Sequence, residues 1–181
     1  MKRSLAFLLG VLAVTAGCQK TESSTEIVLE ISTNIPVPAG INTLSLKIGS
    51  QGNPQALSKT YPLGTGAGQI MLPRRMTLVP TDANTVLSVL VEGLLGGKTV
   101  VSRQVITSFA KGQSKFLSVE LLQKCVGQVC PNTQTCTPSA FCADPRIDPA
   151  TLPTFDPSQG PKTPGLDPDA GASTDAPLDR F

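Results

Sequence analysis

Thr85 to Leu95 (TVLSVLVEGLL) runs into Gly96-Gly97 and returns as Lys98 to Phe109 (KTVVSRQVITSF). Two β-branched, largely apolar runs joined by Gly-Gly predict a hairpin. Both positions of its primed turn need φ above zero, and glycine supplies this without steric cost. Val86, Leu87, Val89 and Val91 suggest a central strand with much of both faces covered. A strand of that kind needs partners, and the chain on either side supplies them.

Upstream, Ile27, Leu29 and Ile31 alternate with Val28, Glu30 and Ser32, the period-two pattern of a half-buried strand. Pro36, Pro38 and Gly40 end it, and Leu44, Leu46 and Ile48 alternate in a second strand. Residues 56–63 read as an edge strand, because Pro62 is awkward in a central one. Gly64, Gly66 and Gly68 mark a strand connection; they imitate a phosphate-binding loop, but no helix follows to supply its N-terminus. Ile70–Leu72 and Met76–Val79 are short apolar pieces split by Pro73-Arg74-Arg75, which reads as a solvated turn. Downstream, Ala110 to Gln113 is a turn, with Phe109 and Phe116 packing across it, and Leu117, Val119 and Leu121 form one face of a closing strand. Seven or eight strands at roughly 8–12 residue spacing, without an amphipathic helix, predict an all-β chain. The expected architecture is an antiparallel β-sandwich over residues 27–124, immunoglobulin-like or transthyretin-like. The strand order itself cannot be read from this pattern.

The first seventeen residues have a different character. Lys2 and Arg3 precede an apolar run from Leu5 to Ala16, followed by Gly17 and Cys18. This is the layout of a secretory signal peptide. The run is too short to span a membrane, which takes roughly 20 apolar residues. Ala16-Gly17-Cys18 resembles the lipobox of bacterial lipoproteins, with Thr15 where leucine is usual. The resemblance implies removal of residues 1–17 and attachment of diacylglycerol to Cys18, which becomes an N-acylated N-terminus. Multiple acyl chains give stable anchoring, at roughly 0.8 kcal/mol per buried methylene. Gln19, in place of the aspartate that holds such proteins at the inner membrane, permits transfer to the outer membrane. Residues 18–26 then form a polar tether, and its seven residues between Gln19 and Thr25 reach roughly 25 Å when extended.

Cysteine arithmetic agrees with this reading. The chain has five cysteines, and an odd count in an exported protein calls for explanation. Lipidation of Cys18 leaves Cys125, Cys130, Cys136 and Cys142, spaced C-x4-C-x5-C-x5-C. In an exported chain these predict a small disulfide-stapled module over 125–142, too short for a core of its own. Three pairings are possible. A four-thiolate zinc site would call for C-x2-C pairs, which are absent, and for a reducing compartment. No metal is therefore expected. The spacing is similar to the first half of an epidermal-growth-factor-like module, and that resemblance implies the pairs Cys125–Cys136 and Cys130–Cys142.

Residues 143–181 carry eight prolines and seven acidic residues against three basic ones. So few large apolar side chains cannot offset the entropy of ordering, and the tail is expected to be largely disordered, with no fixed structure beyond Pro157. Ile147, Leu152 and Phe155 are the exception that could clip its start to the rest of the protein.

Histidine is absent, which removes His-based triads and His metal sites. The carboxylates of the body are Glu22, Glu26, Glu30, Asp82, Glu92 and Glu120, and no two form a recognisable catalytic motif. Ser88, Ser102 and Ser108 lie in strands without a base and read as polar outward positions. No catalytic residue, cofactor or calcium loop is expected, and the chain is not expected to be an enzyme. Without the leader it carries thirteen basic and thirteen acidic residues, and it has no Trp and one Tyr. Neither feature is a nucleic-acid footprint. Over residues 27–157 the layout resembles envelope lipoproteins of gliding soil bacteria of the myxobacterial sort. Those chains join a β-rich domain to a four-cysteine segment and a D-P-x-x-L-P piece, here Asp148 to Pro153. The resemblance brings no activity with it. The expectation is a non-enzymatic module, anchored through Cys18 in the cell envelope at the outer membrane, that binds an envelope protein or a glycan. The alternative is a structural or accessory subunit of an envelope complex.

Overall fold

The computed structural model describes residues 24–50, 53–82 and 84–159. Cys18, the expected leader, most of the expected tether and the residues from 160 onward lie outside them. Seven strands form the body: β1 (Glu26–Thr33), β2 (Thr43–Ser50), β3 (Asn53–Pro62), β4 (Arg74–Leu78), β5 (Val86–Leu95), β6 (Lys98–Ser108) and β7 (Ser114–Leu121). They make two sheets, β4-β1-β7 and β3-β2-β5-β6. All neighbours are antiparallel except β1 and β7, which run parallel from Glu26↔Ser114 to Thr33↔Leu121. An immunoglobulin-like order would pair the first strand with the second. Here the first pairs with the fourth and seventh, so of the two expected arrangements the transthyretin-like one remains.

The Gly-Gly hairpin turns at Gly96 and Gly97, with φ of 58° and 79°. β5 lies between β2 and β6 and alternates strictly, burying Leu87, Val89, Val91 and Gly93 while the other face is half-buried. At Gly93 the two sheets approach so closely that a Cβ would lie 2.8 Å from Val101, 2.9 Å from Ile41 and 3.3 Å from Leu121. Ile27, Leu29 and Ile31 are fully buried, as are Leu46, Val89, Val91, Val119 and Leu121 from strands of both sheets. Each such side chain contributes roughly 1.5–3 kcal/mol relative to exposure.

Two local expectations are corrected. Arg74 and Arg75 open β4 instead of forming a turn, with Arg75 opposite Glu30 and Arg74 opposite Ile31 on β1. Phe109 is buried in the core, whereas Phe116, one of the even-numbered residues of β7, lies on the outer face and stacks on Phe155. The glycine loop behaves as a strand connection. Leu63 bridges Ile70, and Gly66 donates from its amide to the Gln69 side chain at 2.7 Å.

The residues after β7 close one side of the sandwich. They run first along the free edge of β6. Gly127 donates to the Val100 carbonyl at 2.9 Å, Gln104 donates to the Thr135 hydroxyl at 2.9 Å, and Ile106 exchanges bonds with Pro145 and Ile147. The chain then crosses to the edge of β7, where Phe116 donates to Pro153 and Phe155 to Ser114, both at 2.9 Å. Unpaired strand edges invite association with other chains, and here the polypeptide covers two of its own.

Candidate functional site

Two features built by the C-terminal third stand out: the cysteine loop and the strap that follows it.

A 3-10 turn, Gln123–Cys125, leads from β7 into the loop. Cys125 bonds to Cys136 and Cys130 to Cys142, with Cα separations of 6.0 and 5.6 Å. Cys125 and Cys136 are buried and belong to the sandwich core, so the first bridge fastens the loop to the body. The loop thus takes its interior from the β6 edge, which solves the problem that so short a segment cannot make a core alone. The second bridge lies further out and ties Cys130 to Cys142, the first residue of β9 (Cys142–Ala143). Cys142 pairs in register with Cys136 of β8 (Thr135–Cys136), so one cysteine of each bridge faces the other across this two-residue ladder. Backbone bonds set the intervening turn. Thr137 donates to the Phe141 carbonyl at 2.8 Å, Ala140 takes a φ of 63°, and Gln128 donates from Nε2 to the Ala140 carbonyl at 3.3 Å. With the interior taken by cysteines, the apolar side chains beside the outer bridge point to solvent: Val129 is 93% exposed, Phe141 72% and Val126 39%.

The strap begins where Asp148 caps a second 3-10 turn, Pro149–Thr151, by accepting from the Ala150 amide. Leu152 is buried, and its carbonyl accepts from the buried Lys115 ammonium at 3.0 Å. Phe155 stacks on Phe116 with centroids 6.3 Å apart, and the Arg75 guanidinium lies 5.5 Å from one ring and 5.9 Å from the other. Arg75 also donates to Glu30 at 2.8 Å and to the Gln159 carbonyl at 2.7 Å. Asp156 closes the end of the strap by accepting from the Ser158 hydroxyl and amide and from Gln159. Those bonds hold its carboxyl below the usual aspartate range. The cavity beside the cluster is about 140 Å³, below the roughly 300–1,000 Å³ of a small-molecule site. Its polar groups bind one another, so the cluster is a latch holding the strap to the sheet. The ordered strap reaches Gln159, two residues past the limit expected from composition.

The sequence marked Ile147, Leu152 and Phe155 but missed Arg75. The available signal was Glu30, an acid on the outward side of an otherwise apolar strand, which calls for a cation on a neighbouring strand. Other charges also serve the fold. Glu92 pairs with Lys47 at 2.9 Å and accepts from Ser45, and Glu26 accepts from Ser114. Arg103 has Nε and Nη1 buried without a hydrogen-bond partner. Burial lowers its pKa, and the charge of Glu120 opposes that shift.

Among the described residues no cluster of three or more His, Cys, Asp or Glu could hold a metal ion, and no helix is long and apolar enough to cross a membrane. The chain matches no protein-family model, no curated protein and no solved structure.

Proposed function

We propose that the protein is a non-enzymatic lipoprotein of the cell envelope, anchored through lipid on Cys18 at the outer membrane, whose sandwich displays a binding or adhesion surface. One observation carries this reading. The two bridges pair all four described cysteines with one another, so neither calls on the fifth, Cys18, at the end of the lipobox-like stretch. Disulfides belong to oxidising compartments, which agrees with export. The covered strand edges and the latched strap suit a domain that must stay folded outside the cell. Labelling cells with radioactive palmitate tests the anchor: the wild-type chain takes the label and Cys18→Ala does not. Label retained by Cys18→Ala, or absent from the wild type, would overturn the reading. Protease shaving of intact cells then separates a surface-facing adhesion module, which is cut, from a periplasmic accessory subunit, which is protected.

A further inference from the structure

The loop tip bears on what the displayed surface meets. Val129 and Phe141 sit on either side of the Cys130–Cys142 bridge, and Val126 precedes them in the same loop. The second bridge and the backbone turn at residues 137–141 fix these side chains outward. Their exposure is therefore built into the loop.

The charge along the loop has one sign as far as Cys142. No acidic residue occurs between Glu120 and Asp144, and Asp144 is paired with Arg146 at 3.5 Å. Lys124 is exposed at the start of the loop. Lys98 is exposed at the hairpin end, two residues before the Val100 carbonyl that receives the loop's Gly127 amide. Three apolar side chains on a narrow loop fall well short of the roughly 800 Å² per partner of a stable protein interface. A bilayer asks for no matching area. It takes apolar groups about 5–10 Å deep into the headgroup–acyl boundary, and its anionic headgroups attract flanking lysines.

We propose that the tip formed by Val126, Val129 and Phe141, flanked by Lys98 and Lys124, inserts into an anionic lipid surface. This deepens the binding-module reading by naming the partner, and it requires no lipid on Cys18. β1 begins at the end of the sheet nearest the tether, and the loop begins after Leu121, opposite Thr33, at the other end.

Vesicle flotation tests this with the oxidised chain starting at Gln19, which keeps the whole core between Ile27 and Leu152 and lacks the lipidated cysteine. That chain floats with phosphatidylethanolamine–phosphatidylglycerol vesicles and much less with phosphatidylcholine alone. Val129→Asp/Phe141→Asp lowers the bound fraction at least tenfold with an unchanged melting curve, since both positions are exposed. Absence of flotation, or flotation unaffected by the double variant, overturns the proposal. So does a dimer in light scattering that the double variant abolishes, because the tip's partner is then a second copy. The palmitate test of Cys18 in cells is independent, so either idea can fail alone.

Discussion

Arg75 donates from Nε to the Glu30 carboxylate at 2.8 Å across the β1–β4 pair, where Glu30 is only 1% exposed. The same guanidinium supports both phenylalanine rings and the end of the strap. Removing one partner of a buried ion pair leaves an uncompensated charge, at a cost of about 3–5 kcal/mol. Arg75→Ala should therefore lose about that much stability in urea denaturation, and proteolysis within residues 153–159 should accelerate. Unchanged stability would show that Glu30 finds other compensation.

Asp156 gives the strap a dependence on acid. Its folded pKa lies below the ordinary aspartate value because the carboxylate accepts from Ser158 and Gln159. A depressed folded pKa means that the bonds contribute fully above the unfolded value. The contribution is lost as the pH falls through the folded one. Hydrogen exchange at the Ser158 amide should stay slow from neutral pH to the ordinary carboxylate range and show added loosening below it. Asp156→Asn should remove that added loosening while the sandwich stays intact.

Gly93 leaves no room for a methyl group, with Val101, Ile41 and Leu121 already within 3.3 Å of where a Cβ would be. Overpacking of this kind costs about 1–3 kcal/mol. Gly93→Ala should lower the denaturation midpoint accordingly, and Gly93→Val should do so further. A neutral Gly93→Ala would mean that the hairpin end slides outward at little cost.

Arg103 is a charge that folding partly strips of water without giving Nε and Nη1 a partner. Its lowered pKa expresses the same penalty on the charged form. An apolar side chain of similar length removes that penalty. Arg103→Met should raise the thermal midpoint by a few degrees, on the scale of about 4 °C per kcal/mol for a folded unit between the small and mid-sized classes. A lower midpoint would mean that its attraction to Glu120 outweighs desolvation.

The parts legible in the sequence are those that local chemistry decides. Gly96-Gly97 between two β-branched runs has few alternatives to a primed hairpin, and the alternation around Leu29 and Leu46 fixes which faces turn inward. Strand order is different, because β1 meets β7 across about ninety residues of chain, as the 88-residue separation of Glu26 and Ser114 shows. No local pattern encodes that meeting. Arg75 was hidden for a related reason: Pro73 precedes β4, the strand is five residues long, and its key partner ring arrives with Phe155. Val129 and Phe141 could not be placed outside from composition either. An apolar residue in a loop normally turns inward, and it is the buried pair Cys125 and Cys136 that occupies the interior here.

The parallel pairing of β1 with β7 also has a mechanical meaning. A pull between the residues before Glu26 and the loop after Leu121 acts at opposite ends of two strands lying side by side. Their eight register pairs are then loaded together, in shear, instead of being peeled open one after another. An antiparallel pair entered and left at the same end would unzip under the same tension. Rupture here demands sliding the whole ladder at once, which makes the strand pair a tie between whatever holds the two ends.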